Sequence, residues 1–372
     1  MSATGNTHYC GTAPVVVTGG AGFIGCNIAD ALAARGRRVV IFDNMSRRGA
    51  DDHVRWLKQR HGDQIEAEVT DIRDAEAVKR AVARASAVLH LAGQVAVTSS
   101  LDRPVDDFEI NAHGTLNVLE SVRLHNPHAP LVFASTNKVY GQLLDPGAFV
   151  PRGRRYVVSA AQFAAGVSAS ARIDLYSPYG CSKGAADQYV RDYARIYGLR
   201  TAVLRMSCIY GPRQFGTEDQ GWIAHFMLQS IRRRPITIFG DGLQVRDALY
   251  IDDAVDAWLA TLDHIDAVRG RIFNLGGGPA NAVSLLELLD LIAELRGERP
   301  EVRFSGRRPG DQPWYVSDVR AIAKAIGWQP RVPLRSSPAP ALCSAMRRFA
   351  ACSITHSAAS SPTFAKTWPN SA

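Results

Sequence analysis

Short apolar runs alternate with longer amphipathic stretches over most of the chain. Val15-Val16-Val17-Thr18, Arg38-Val39-Val40-Ile41-Phe42, Ile65-Glu66-Ala67-Glu68-Val69, Ala87 to Leu91, Leu131 to Thr136 and Thr201 to Arg205 read as short strands. Several are β-branched and apolar at every position, the pattern of strands covered on both faces. Between them lie helical patterns: one after Gly25 to about Arg35, one starting at Asn111 and running to about His125, and one carrying Tyr179. Strands and helices in alternation predict an α/β protein with a doubly wound parallel sheet.

The second half changes texture. Residues 142–176 carry Pro, Gly and Arg without clean periodicity and read as an insertion. Ile223 to Ile231 reads as an amphipathic helix and Ile236-Thr237-Ile238-Phe239 as a strand. Ala248 to Ile251 and Ile272 to Leu275 are further strand patterns. Ser284, with Glu287 three residues on, is a capping box for an apolar helix to about Leu295. The expected organisation is an extension over 1–14, a sheet domain over 15–205, and a smaller lobe over 206–334. Residues 246–278 are expected to return to the sheet domain. From 335 to 372 Ser, Ala, Pro and Arg dominate, and an irregular, disordered tail is expected.

The chain has 372 residues, 46% hydrophobic and 21% charged, with net charge +8. No apolar run reaches the roughly 18 residues of a membrane span. The N-terminal stretch lacks a basic segment followed by an apolar one, so a cytoplasmic location is expected. The basic residues are dispersed, without the aromatic interleaving of a nucleic-acid surface; neither nucleic acid nor membrane is an expected partner. Six cysteines form no CxxC pair and no zinc spacing, and are expected to be reduced thiols, with no metal site.

Between the first strand and its helix lies Gly19-Gly20-Ala21-Gly22-Phe23-Ile24-Gly25. Glycines there allow a tight turn, close approach of a pyrophosphate, and packing of helix on strand. The second strand ends at Asp43, which can accept hydrogen bonds from ribose hydroxyls and would repel a 2′-phosphate. These features predict a Rossmann-like fold and favour NAD over NADP, although Arg47 and Arg48 could meet a 2′-phosphate. Asp71, at a later strand end, is a candidate for the adenine amino group or a helix cap. Gly93 ends a strand beside the expected cofactor position. His90, within that strand, reads as a core histidine. The Asn111 amide is a candidate for ordering the active-site backbone.

Of eleven tyrosines, only Tyr179 has a lysine four residues on, Lys183. That spacing stacks the two on one helix face, where an ammonium would favour the phenolate and lower its pKa. Such a phenol can take a proton from a sugar hydroxyl and return it. Among the arginines, Arg246 and Arg308 are candidates for clamping a pyrophosphate, since a guanidinium suits phosphate oxygens. Arg213 and Gln214 are weaker candidates for ribose or base contacts.

With Ser135-Thr136-Asn137-Lys138-Val139-Tyr140-Gly141, His90 to Ala96, Phe42 to Ala50, Ser177 to Tyr189 and Asp219-Gln220-Gly221-Trp222, the chain resembles the extended short-chain dehydrogenase/reductase family. The resemblance is to its nucleotide-sugar epimerases and dehydratases and covers about Val15 to Pro333; the narrower stretches are most similar to CDP-sugar 2-epimerases. It implies an isomerase with a CDP-sugar substrate, tightly held NAD, and a homo-oligomer, dimer or tetramer. It also implies Thr136 as the hydroxyl on the reacting sugar oxygen, Tyr179 as acid/base, and Lys183 as the residue that holds the nicotinamide ribose and tunes Tyr179. The implied cofactor set is Gly19, Gly22, Phe23, Ile24, Gly25, Asp43, Asn44, Asp71, Ile72, Leu91, Ala92, Gly93, Asn111, Ser135, Tyr179 and Lys183. Gln94 and Asn137 join Arg213, Gln214, Arg246 and Arg308 on the substrate side. Dehydratases of the family carry Asp-Glu where this chain has Asn137-Lys138, and an amide and an ammonium cannot replace that acid pair. The insertion departs from the pattern, reading Val167-Ser168-Ala169-Ser170. C4 epimerisation of another nucleotide sugar, and a non-catalytic NAD-binding protein, are the alternative readings; the intact Thr136, Tyr179 and Lys183 speak against the latter.

Overall fold

The computed structural model describes residues 13–143 and 146–334. Most of the expected N-terminal extension, the whole of the expected tail, and Cys10, Cys343 and Cys352 lie outside the described residues.

The chain opens with β1 (Val15–Thr18), α1 (Phe23–Ala34), β2 (Val39–Asp43), α2 (Ala50–His61), β3 (Ile65–Val69), α3 (Ala75–Ala83) and β4 (Ala87–His90). The short helices α4 (Val97–Asp102) and α5 (Pro104–Phe108) lead through a π-helical turn, Glu109–His113, into α6 (Gly114–His125) and β5 (Leu131–Thr136). A helix beginning at Asn111 was the expectation from sequence. It in fact begins seven residues earlier, at Pro104, whose fixed φ suits a first helical turn. The wider π turn then carries Asn111 fully into the interior.

The next elements are a hairpin of β6 (Phe149–Arg152) and β7 (Arg155–Val158), the long α7 (Ser177–Ile196), β8 (Thr201–Met206) and β9 (Cys208–Tyr210). After α8 (Trp222–Ile231) come β10 (Ile236–Phe239), β11 (Val245–Tyr250), α9 (Ile251–Asp263), α10 (Ile265–Val268) and β12 (Arg271–Leu275). The described chain ends with β13 (Ala282–Ser284), α11 (Leu285–Arg296), β14 (Val302–Ser305), β15 (Trp314–Tyr315) and α12 (Arg320–Ile326).

Seven parallel strands form the central sheet in the order β12-β8-β5-β4-β1-β2-β3. Alternate residues of a strand point to opposite faces, and β1 shows the consequence. Val15 and Val17 enter one apolar cluster, shared with Ile28, Leu57 and Trp258 of α1, α2 and α9. Val16 enters the other, shared with Val78, Val118 and Val190 of α3, α6 and α7. Covered on both faces, the strand needs no polar position. Strand order reverses between β1 and β4, and the crevice beyond their carboxyl ends is where ligands bind in such sheets.

The remaining strands lie off the sheet. β10 pairs with β14, and β11 is flanked by β13, β9 and β15. α11 carries the expected capping box: Ser284 Oγ accepts from the Glu287 amide at 3.1 Å, and Glu287 accepts from the Ser284 amide at 2.9 Å. The insertion is tied to these elements. Arg155 pairs with Glu287 at 2.5 Å, and Val167 bridges to Ser317. Its conformation is set by partners distant in sequence, which explains why it shows no period of its own.

Candidate active site

The turn after β1 is governed by glycine. Gly19 has φ +68°, and a Cβ there would lie 2.7 Å from the Ala92 nitrogen. A Cβ at Gly25 would collide with the Gly19 carbonyl, so α1 packs close under the turn. Gly22 caps α1 without a side-chain acceptor, leaving the first amides of a twelve-residue helix, from Phe23 and Ile24 on, available to an anion. Asp43 turns its carboxylate across this loop, accepting from the Ala21 amide at 3.1 Å and the Met45 amide at 2.9 Å. Burial raises its pKa, and those two amides oppose the shift. This cradle fits a dinucleotide.

Around it stand the other cofactor candidates. Asn44 donates to Asp71 at 2.9 Å, and Arg73 holds the same carboxylate at 2.9 and 3.0 Å, keeping it well below the usual range. The cap of α3 is Asp74, not Asp71. Ile72 is buried against Gly114. Beyond β4, Leu91 and Ala92 are fixed to Thr18 through their amides. Asn111 accepts from the Gln94 amide at 3.0 Å and donates to the Gln94 carbonyl at 3.1 Å, pinning the backbone beside Gly93. His90 is fully buried between Thr18 and Thr115, and burial pushes its pKa down to about 3.

Thr136 ends β5 and Tyr179 lies in the first turn of α7; both line one cleft, and the Thr136 hydroxyl lowers the Tyr179 pKa. Thr136 Oγ1 also accepts from the Lys138 amide at 3.2 Å, capping the 3-10 turn Asn137–Tyr140. Lys183, one turn along α7, is 3% exposed, with its ammonium 4.2 Å from the Phe133 ring centre. Burial raises Tyr179 to about 12; Thr136 and Arg47 pull down and Asp107 pushes up. Lys183 itself is lowered to about 7 by burial, with Asp187 and Asp107 opposing. Helical spacing places the two on one face, but desolvation outweighs their mutual influence in the protein alone.

A cleft of about 380 Å³ opens between the sheet's carboxyl edge and the outer strands. It is lined by Ser135, Thr136, Asn137, Lys138 and Tyr179 on one side, and by Gln214, Trp222, Phe239, Gln244, Arg246 and Arg308 on the other. Arg246 binds Asp311 at 2.7 Å. Arg308 stacks over Phe239 at 3.6 Å and reaches Asp219 at 3.3 Å and the Glu218 carbonyl at 2.9 Å. Two substrate candidates are placed otherwise. Arg213, at φ +69°, turns its guanidinium over Trp56, 3.8 Å from the ring centre, and toward Asp30, away from the cleft. Gln94 folds its amide back onto Ala96, donating to its carbonyl at 2.8 Å. Local turn geometry, invisible in a residue count, decides both.

Sequence reasoning missed a buried network behind the reacting groups. Asp107 accepts from Ser182 and from Asn111, whose amide also meets Ser182 at 3.1 Å. Asp187, four residues beyond Lys183, takes Arg205 at 2.8 and 2.9 Å and Ser135 at 2.7 Å. That i, i+4 acid was the available signal for Asp187; Asp107 offered none. Arg205 continues to Tyr140 at 3.0 Å and to the Ala169 carbonyl at 3.2 Å. The insertion is thereby joined to the strand end that carries Thr136.

Residues 15–276 match the family described as NAD dependent epimerase/dehydratase. The chain is 42% identical over 327 residues to a CDP-paratose 2-epimerase of Salmonella typhi, covering 86% of this chain and 95% of that protein. It is 32% identical over 320 residues to a UDP-glucose 4-epimerase of Mycolicibacterium smegmatis, covering 86% and 94%. Among solved structures, a UDP-glucose 4-epimerase of Thermus thermophilus in complex with NAD is similar at 32% identity and TM-score 0.75, covering 91% of this chain and 99% of that one. With its glycine cradle, its seven-stranded parallel sheet and these relatives, the chain belongs to the NAD-dependent epimerase/dehydratase family, whose cofactor is NAD.

Proposed function

We propose that this protein epimerises a CDP-sugar at C2, the reaction type that forms CDP-tyvelose from CDP-paratose, for bacterial surface-polysaccharide synthesis. The observation that carries the reading is the meeting of Thr136, Tyr179 and Asn137-Lys138 in one cleft. The first two suit proton transfer at a sugar hydroxyl; the last two cannot supply the acid pair of a dehydratase. The choice of C2 and of cytosine is supported by the 42% identity to a CDP-paratose 2-epimerase across nearly the full length of both chains.

When bound, NAD supplies a hydride acceptor that returns the hydride later. Tyr179, as phenolate, takes the O2 proton while the C2 hydrogen leaves as hydride. The resulting 2-keto sugar turns over within the cleft and receives hydride on its other face, and Tyr179 gives the proton back. No net oxidation results. Thr136 holds the reacting oxygen, and Arg246 and Arg308 hold the diphosphate while the sugar turns. Residues 15–205 mainly bind the cofactor and 206–334 mainly the substrate, with α9 and β12 returning to the sheet domain. Incubation with a panel of CDP- and UDP-sugars, with the epimerised carbon assigned by NMR, tests the reading. C4 epimerisation of a UDP-sugar would overturn it; that second reading is favoured by the similarity to UDP-glucose 4-epimerases.

A further inference from the structure

We propose that Lys138 is a substrate-contacting specificity residue whose ammonium donates to a hydroxyl oxygen of the sugar. The proposal deepens the nucleotide-sugar reading and depends on it. Lys138 follows Thr136 by two residues on the 3-10 turn and lines the same cleft as Thr136 and Tyr179. Its Nζ donates to the Gly310 carbonyl at 3.1 Å. Its nearest carboxylate, Asp311, lies at 3.9 Å and is engaged by Arg246 at 2.7 Å. An ammonium has three protons, and these contacts give one well-made hydrogen bond and one distant ion pair. The ammonium is part-buried, its side chain 22% exposed, so its remaining donors can reach a ligand in the cleft, and a sugar, rich in neutral oxygen acceptors, is the ligand class that can use them. Burial lowers its pKa to about 8, with Arg246 adding to the shift and Asp311 and Cys208 opposing it. At neutral pH it therefore remains mainly a donor. Gly310 and Asp311 belong to the loop that carries Arg308, so the contact also fixes the sugar relative to the proposed diphosphate clamp.

Binding calorimetry on the NAD-loaded protein tests this with CDP and CDP-glucose, and in parallel with UDP and UDP-glucose in case the base is uracil. For Lys138→Met, affinity for the nucleotide sugar should fall about tenfold or more, the worth of a charge-assisted hydrogen bond. Affinity for the nucleoside diphosphate alone should stay within about twofold. Lys138→Gln, which keeps a donor, should recover part of the loss. NAD content and thermal unfolding establish that each variant is folded; if Lys138→Met is not, Lys138→Gln is judged by the same selective loss. Equal loss for sugar nucleotide and diphosphate would overturn the proposal, since Lys138 would then act on the phosphates or through Arg246. No loss in either would overturn it as well. Wild-type protein that binds none of the four compounds would overturn the nucleotide-sugar reading itself, and this proposal with it.

Discussion

At the proposed cofactor cleft, recognition is carried by main chain and short side chains: the Gly19 turn, the uncapped start of α1, and an Asp43 carboxylate already held by two amides. In the proposed substrate pocket it would be carried by long cations with protein partners of their own. Arg246 is on Asp311, Arg308 is on Asp219 and Phe239, and Lys138 is on Gly310. The first region is held by its own backbone contacts. The second must exchange internal ion pairs for ligand contacts, at a cost offset only when phosphate and sugar arrive. The proposed mechanism, with a retained cofactor and a sugar that turns over, calls for these two opposite constructions, and Tyr179 stands where they meet.

The strongest test of that meeting point is Tyr179→Phe. Turnover should fall by at least about 10²-fold, the usual worth of general acid–base catalysis, while fold and bound NAD are kept. Near-normal turnover would place the active site elsewhere. The reaction needs the phenolate, whose population rises with pH, yet burial holds this phenol up at about 12 in the protein alone. The positive charge of a bound oxidised nicotinamide would lower it, so the acid limb of kcat should lie far below 12 in the loaded enzyme and vanish from the residual activity of Tyr179→Phe. Spectrophotometric titration of NAD-free protein should find the Tyr179 phenol un-ionised through pH 10.

Next is the buried pair behind the site. Asp187→Asn leaves Arg205, 1% exposed, without its counter-charge. Removing one partner of a buried ion pair typically costs about 3–5 kcal/mol. Urea unfolding should show a loss of that order. A change under about 1 kcal/mol would mean that Tyr140 and the Ala169 carbonyl satisfy Arg205 on their own.

Asp43→Ala addresses the preformed side. It removes the carboxylate that accepts from Ala21 and Met45 and is proposed to accept from the adenosine ribose. NAD affinity should fall about tenfold, as for loss of one or two hydrogen bonds to a charged group, and discrimination against NADP should shrink. Unchanged preference would assign that choice to other residues.

The preformed region is also the one legible in sequence. Gly19, Gly22, Gly25 and Asp43 fall within one β1–α1–β2 unit, where strand, turn and helix follow from local pattern. The apolar runs disclosed the sheet because both its faces are covered. Asp107 shows the limit. It is held by Ser182, 75 residues away, and by Asn111 on the π turn, and no periodicity encodes that. Lys183 shows another, since its spacing from Tyr179 was visible but the desolvation that dominates both groups is a property of the packed interior. In the pocket the arginines were chosen by chemistry alone, and chemistry cannot say which way a side chain leaves its turn.

Arg213 against Arg246 isolates that last point with the smallest expected effect. Arg246 lines the cleft, so Arg246→Ala should weaken nucleotide-sugar binding clearly, by roughly tenfold for a lost charged contact. Arg213 covers Trp56 and lies 3.4 Å from Asp30. Its loss should cost about 0.5–1 kcal/mol of stability through the cation–π contact and leave nucleotide-sugar affinity within about twofold. The positive φ at Arg213 is equally strained for alanine, so backbone strain cancels in the comparison. Calorimetry of both variants beside wild type reads the difference directly. If Arg213→Ala weakens binding as much as Arg246→Ala, the loop after β9 reverses when substrate enters. Its position in the free protein would then be one half of a switch, and the contrast between a fixed cofactor cleft and an exchanging substrate pocket would extend to the Trp56 face of α2.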